Sequence, residues 1–268
     1  MKKVLVFIAV FVFALAMTGC TKKNAGADNS LKSVLDSKRL VLGLDDSFPP
    51  MGFRDESNEI VGYDIDLATE VATRLGVTLV KQPIDWNAKE QELATGQIDC
   101  IWNGFTITEE RKKALLFSPP YLKNAQIIVV KADSPLITKT DLEGKKIGTQ
   151  TGSSSVEAID EDVPFKESLG DVIEYKTFLD AFMDLDVGGV DAVVADLVVA
   201  NDSIGRFGKP LRKLDDTLAE EEFGIGFRKT DVELQAKVWE TLTAMADDGT
   251  IAQISIKWFG EDISVIGK

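Results

Sequence analysis

The sequence predicts an α/β protein. Three observations carry that prediction: short apolar strand-like runs alternate with helix-length stretches bearing one apolar stripe, Gly and hydroxyl residues punctuate the junctions, and successive strands lie far enough apart for a crossover helix. Such an order implies mostly parallel sheets with helices on their faces.

Taken in order, residues 39–44 read as a strand. Over 64–75, Ile65, Ala68, Ala72 and Leu75 recur at spacings of three, four and three, which gives one helical stripe. Gly76 stands just past it, where positive φ is needed. A strand at 77–81, a helix at 88–95 and a strand at 99–102 follow. Strands are expected again at 125–130, 146–150, 172–176 and 192–195. Helices near 154–160, 177–187 and 197–206 fall between and after them. A strand at 223–227 precedes two closing helices, 232–246 and 251–258. No short-period repeat or low-complexity block interrupts the pattern.

The N-terminus has a different character. Lys2 and Lys3 precede an apolar run from residue 4 to residue 17, then Thr18, Gly19 and Cys20. A basic start, a short apolar core and small residues before a break describe a secretory signal over 1–19. The run is shorter than the ~20 residues a membrane-spanning helix needs, which argues against a transmembrane anchor. Cys20 after Gly19 resembles the lipobox of bacterial lipoproteins, with Met17 where Leu is usual. The resemblance implies lipidation at Cys20 and an outer membrane face. Polar residues from Thr21 to Ser30 suit a flexible tether, expected over 20–35.

The chain carries a formal net charge of −14 and no histidine. Removing Lys2 and Lys3 takes that charge to −16, a surface that repels nucleic acid and anionic headgroups. Without histidine, His-based triads and most zinc chemistry are excluded, and no metal or cofactor is expected. Lipidation at Cys20 would leave Cys100 unpaired, and Cys100 sits in an apolar run as a small core residue. The roughly 235 residues beyond the tether allow one large domain or two lobes.

Four segments carry polar chemistry. Asp45, Asp46, Phe48, Pro49 and Pro50 follow the first strand, at the end where α/β sheets bind ligands. Asn103, Gly104, Thr106 and Thr108 lead into an acidic first helical turn with Arg111 shortly after. Arginine holds a carboxylate in a planar two-point grip, although a lone Arg is more simply a surface residue. Gln150, Thr151, Gly152, Ser153, Ser154 and Ser155 form a hydroxyl-rich turn into a helix N-terminus, where free N–H groups attract anions. The Lys-Ser/Thr ending of a phosphate loop is missing. Finally, an apolar strand delivers Asp196 at its C-terminal end, and a buried Asp needs a partner: an ammonium, or a neighbouring Lys or Arg. Together these groups complement a zwitterionic amino acid.

The segments LGLDDSFPPMGF, GYDIDLATEVATRLG, NGFTITEERKK, FSPPY, LEGKKIGTQTGSS, VDAVVADL, FGIGFRK and DGTIAQISIKWFG occur in that order over nearly all of 36–260. The chain thereby resembles the amino-acid solute-binding proteins of ABC importers, in the branch that takes polar amino acids. The resemblance implies a two-lobe periplasmic-binding-protein (type II, Venus flytrap) fold, each lobe a mixed, mostly parallel sheet flanked by helices. Lobe one would comprise 36–121 and 224–260 and lobe two 126–219, with hinge strands at 122–125 and 220–223.

On matching positions the resemblance implies that Arg111 grips the ligand's α-carboxylate, helped by the amides of Thr106 and Ser154. Asp196 would hold the α-ammonium, with the Gly104 carbonyl and Thr106 hydroxyl. Phe48 and Trp86 would wall the ligand's side chain and Asp45 would meet its polar end; Asn103, Gln150 and Ser153 complete the expected ligand-binding set. Trp86 stands where Phe is frequent, Trp102-Asn103 where small residues are usual, and Gln150 where glutamine binders carry Lys. Ala195 fills a position that is polar in some members. Asp45, Asp46 and a stacking Trp86 favour Lys, Arg or ornithine, with glutamine or cystine next. The expected partners are a free L-amino acid, the permease subunits of an ABC importer and the membrane through Cys20, for a monomer without catalytic residues. The alternatives are a ligand sensor for a membrane receptor and a cyclohexadienyl-dehydratase-like enzyme.

Overall fold

The computed structural model describes residues 28–206 and 210–268. The signal segment 1–19, Cys20 and most of the expected tether lie outside the described residues. The end of that tether is not a free linker, because α1 (Ser30–Ser37) starts there and buries Val34. Leu31 and Val34, three residues apart, give it its inward face.

β1 (Arg39–Leu44) leads into a small antiparallel sheet of β2 (Ser47–Phe48), β3 (Gly52–Arg54) and β4 (Ile60–Val61). Next comes α2 (Tyr63–Leu75), which Gly76 terminates at φ 68°. β5 (Thr78–Pro83) returns parallel to β1. After a 3₁₀ turn (Trp86–Ala88) and α3 (Lys89–Ala94), β6 (Cys100–Thr106) pairs in parallel with the other edge of β1. Thr108 caps α4 (Glu109–Ala114), its hydroxyl accepting the Arg111 amide at 3.2 Å. β7 (Leu115–Phe117) follows.

β8 (Leu122–Lys131) then carries the chain into a second lobe. There β9 (Lys146–Gln150), α5 (Ser154–Glu161), α6 (Val163–Ser168), β10 (Asp171–Tyr175), α7 (Phe178–Val187), β11 (Ala192–Asp196) and α8 (Leu197–Arg206) alternate. β12 (Leu211–Arg228) returns, and α9 (Val232–Asp247) and α10 (Thr250–Phe259) close the fold. The strand order is β10-β9-β11-β8-β12-β6-β1-β5, with β7 against β12. β8 and β12 pair antiparallel from Leu211 opposite Lys131 to Phe223 opposite Leu122, so two paired strands join the lobes.

Strand alternation distributes the core over both faces of each sheet. In the first lobe Leu40, Leu42 and Leu44 face one cluster while Val41 packs on another with Ile98, Ile101 and Phe105. In the second, Val193 and Ala195 face one way and Ala192 and Val194 the other. Cys100 is buried and free, and burial pushes its thiol well up.

Three strands are longer than their apolar runs. The strand expected over 99–102 continues to Thr106, that over 125–130 starts at Leu122, and that over 223–227 is the end of an 18-residue strand. Polar residues such as Asn124, Gln126 and Glu221 hide these extensions, which are specified by backbone pairing between neighbours.

Candidate functional site

All eleven residues expected to bind ligand are buried, and they lie where the two lobes face each other. Arg111, on the turn that Thr108 caps, packs its guanidinium 4.8 Å over the ring of Phe105. It donates to the Thr106 carbonyl at 2.9 Å, reaches the Gly152 carbonyl of the other lobe at 3.5 Å and pairs with Glu157 at 3.2 Å. Burial lowers its pKa, against which the carboxylates of Glu157 and Glu221 act.

Thr106 closes β6, and its hydroxyl meets that of Ser154 at 2.9 Å across the lobes. Ser154 opens α5, so its amide belongs to the first helical turn, whose N–H groups lack intrahelical acceptors. Gly104 precedes Thr106 by two residues and adopts φ 55°; a β-carbon there would come within 2.7 Å of Phe48 Cε1. The Gly104 amide donates at 2.7 Å to the fully buried Asp64 on α2, which also accepts the Tyr121 hydroxyl at 2.9 Å. Burial raises the Asp64 pKa to about 7.

Asp196 ends β11, and its Oδ1 accepts Asn124 Nδ2 at 2.7 Å and Gln126 Nε2 at 3.0 Å. Burial, then Glu221, holds its carboxyl well above the usual range. Asp45 accepts the Ser47 amide and hydroxyl at 2.9 and 2.5 Å and, across the cleft, Gln150 Nε2 at 2.6 Å. Burial raises its pKa, opposed by the bonds from Ser47 and Gln150. Asn103 accepts the Asp45 amide at 3.0 Å, so it positions the Asp45 loop. Ser153 donates to the Gln150 carbonyl at 2.7 Å.

Phe48 packs 5.9 Å from Phe178, and Trp86 meets Phe105 edge-on at 5.7 Å. Lys89 lies 5.2 Å over the Trp86 ring and donates to the Gly152 carbonyl at 2.9 Å. Burial lowers its pKa to about 8, with Arg111 adding to the effect.

Sequence reasoning missed Lys89, Asn124, Gln126, Glu157 and Glu221. Asn124 and Gln126 carried a usable signal, two amides spaced by two in an otherwise apolar buried strand. Lys89, Glu157 and Glu221 carried none, because each sits among ordinary surface-type charges.

The fold and these contacts define a two-lobe ligand-binding protein with donors and carboxylates facing one cleft. The chain belongs to the bacterial extracellular solute-binding proteins, family 3, whose model matches residues 40–261. It is 30% identical over 256 residues to the L-cystine-binding protein TcyJ of Escherichia coli strain K12, covering 94% of this chain and 95% of that protein. It is 31% identical to the arginine-binding extracellular protein ArtP of Bacillus subtilis strain 168, over 97% of this chain and 98% of that protein. The substrate-binding protein of an ABC uptake transporter from Streptococcus pneumoniae, solved with bound histidine, matches with a TM-score of 0.86 and 37% identity over 89% and 98% of the two chains.

The protein is thus an amino-acid-binding protein of the ABC-transporter class, from an extracellular or periplasmic family, and not an enzyme. That sets aside the dehydratase alternative. Among the described residues no helix is long and apolar enough to cross a membrane, and no group of acids or Cys could hold a metal.

Proposed function

We propose that the protein captures a free basic L-amino acid (arginine, lysine or ornithine) by lobe closure and presents the closed form to an ABC permease. The observation that supports the basic ligand best is Asp45, a buried acid that clasps Gln150 of the opposite lobe at 2.6 Å. Phe48 and Trp86 supply aromatic faces on which a cationic side chain stacks. The similarity to an arginine-binding protein agrees with this reading.

In this reading Arg111 holds the α-carboxylate with the amides of Thr106 and Ser154. Asp196, the Gly104 carbonyl and the Thr106 hydroxyl hold the α-ammonium. One ligand then touches both lobes, so it binds the closed form better and shifts the population toward it. Charge-assisted hydrogen bonds of about 1.5–3 kcal/mol each, at both ends of the ligand, provide most of that preference. The lobes are 36–121 with 224–260, and 126–219, turning about 122–125 and 220–223. Cys20 carries the lipid that keeps the protein at the membrane, and Cys20→Ser releases it into the soluble fraction.

A second reading takes cystine as the ligand, on the similarity to a cystine-binding protein. Asp45 would then meet the second ammonium of cystine. Calorimetric titration of the ligand-stripped chain with the common amino acids, ornithine and cystine tests both. Saturable one-to-one binding of arginine, lysine or ornithine is expected. Tight binding of cystine or glutamine alone overturns the basic-ligand reading, and no binding overturns the function.

A further inference from the structure

Glu221 lies on β12 directly opposite Asn124 of β8, on the paired strands that join the lobes. Its half-buried carboxylate turns into the cleft. Oε2 accepts Asn124 Nδ2 at 3.0 Å, Gln126 Nε2 at 2.9 Å and the Thr106 hydroxyl at 3.1 Å, with the Ser154 hydroxyl at 3.4 Å. Asp196 Oδ1 accepts the same two amide nitrogens at 2.7 and 3.0 Å. Two carboxylates that share a donor nitrogen lie within about 6 Å of each other, a separation at which both resist ionising together.

Among the described residues Arg111 is the one cation acting on the pair, and it offsets only part of the two acids' charge. Arg111 on α4 faces it but is in contact with Glu157 of α5. Lys123 on β8 stands opposite Glu222, and Glu220 and Glu222 on β12 point to solvent. The remaining groups against the pair are the neutral Thr106, Ser154, Asn124 and Gln126. In addition, Asn124 is buried and its Oδ1 has no donor among the described residues. The corner therefore holds two acids and an unused acceptor, with its amide N–H groups already directed at the acids. What it lacks is a compact cation with several N–H bonds. A cavity of about 240 Å³ opens beside Glu221, Thr106 and Ser154, and the acids Glu109, Glu110, Glu157, Glu161 and Glu220 also line it.

We propose that Glu221 is a second acid of the ammonium subsite, so that Asp196 and Glu221 together hold the ligand's α-ammonium while Asn124 Oδ1 accepts one of its N–H bonds. The inference rests on the amino-acid reading above. Both carboxyls are pushed up, by burial first and, for Asp196, by Glu221 next. In this proposal the unliganded pair holds one proton between its two carboxyls, because both acids crowd the same two amide nitrogens. When the ammonium arrives, that O–H bond breaks, the electron pair stays on the carboxylate and the proton leaves to water through the cavity. Binding thus releases a proton, and affinity rises with pH.

The test is calorimetric titration of the full chain, stripped of ligand, with L-arginine, L-histidine and L-cystine. It is run at pH 8 and pH 5.5 and in two buffers of different ionisation enthalpy. Glu221→Gln keeps the shape and the hydrogen bonds to Thr106 and the amides, and the exposed Glu222→Gln serves as control. We expect Glu221→Gln to weaken binding about tenfold at pH 8, the scale of one charge-assisted hydrogen bond. The deficit should narrow at pH 5.5, and the buffer-dependent proton release should shrink, leaving what the burial of Asp196 alone supplies. Equal weakening at both pH values with proton release intact would assign Glu221 a bracing role in the hinge and overturn the proposal. Unchanged binding by Glu221→Gln overturns it as well. If the wild type binds none of the three amino acids, the amino-acid reading falls and this inference with it.

Discussion

The two parts of the cleft are built on different plans. In one, Arg111, Thr106, Ser154, Asp196 and Glu221 converge from α4, β6, α5, β11 and β12, and all of them belong to one chain of polar contacts. The other comprises the rings of Phe48 and Trp86, packed on Phe178 and Phe105, and the acid Asp45, whose bond across the cleft is to Gln150. The parts meet at Gly104, where Phe48 leaves no room for a β-carbon. Many independent groups fix the first part, so it suits features common to all amino acids. The second rests on few groups and can be retuned by one substitution. Relatives of about 30% identity carry the names of different ligands, cystine and arginine.

The comparison is tested most severely at Arg111. Arg111→Ala should weaken binding of every amino acid by about thirtyfold or more, since truncating a buried hydrogen-bonded charge costs about 2–5 kcal/mol. Circular dichroism should show the fold retained. If a ligand keeps its affinity within tenfold, the carboxylate grip lies elsewhere and the first part loses its defining group.

Asp64 lies behind the first part and gives a pH-dependent effect. Its carboxyl sits at about 7 in the fold, whereas an unfolded chain has about 3.9. Between those values the folded state holds a proton that the unfolded state has lost. The stability tied to Asp64 is therefore complete below about pH 4 and is lost as pH rises through about 7. Against Asp64→Asn, the wild type should lose about 3–4 kcal/mol of relative unfolding free energy between pH 4 and pH 7.5. Chemical denaturation at both pH values measures it, and parallel curves would mean that Asp64 is ionised throughout.

The alternation of elements and the place of Asp196 after an apolar strand were legible in the sequence. Thr106 and Arg111 were singled out by a capped turn and the family resemblance, since the apolar run before them stops at 102. Gly76 and Thr108 were legible as a stop and a cap for the same local reasons. Glu221 was not. Residues 211–222 of β12 show no clean alternation, and only pairing opposite Asn124 turns Glu221 inward. α1 was hidden by its polar surroundings, although Leu31 and Val34 carry its face. Local pattern reveals what each segment does alone, whereas register between distant strands decides which polar side chain enters the cleft.

The smallest expected effect is the most informative about specificity. In Asp45→Asn the side-chain oxygen can still accept the Ser47 amide and hydroxyl, and the Gln150 amide can rotate to offer its oxygen to the new amide only by giving up its 3.1 Å bond to the Lys176 carbonyl. The charge is removed and the clasp is weakened by that one bond, a loss that falls on every ligand alike. Affinity for arginine or lysine should fall about tenfold, about 1.4 kcal/mol, while glutamine affinity stays within about twofold. If both ligands weaken equally, Asp45 serves closure and not recognition, and the contrast between the two parts is wrong. If neither weakens, the polar end of the ligand is read by another group. Only a selective loss keeps the contrast, because only a charge that meets the ligand's own charge distinguishes two side chains of similar polarity.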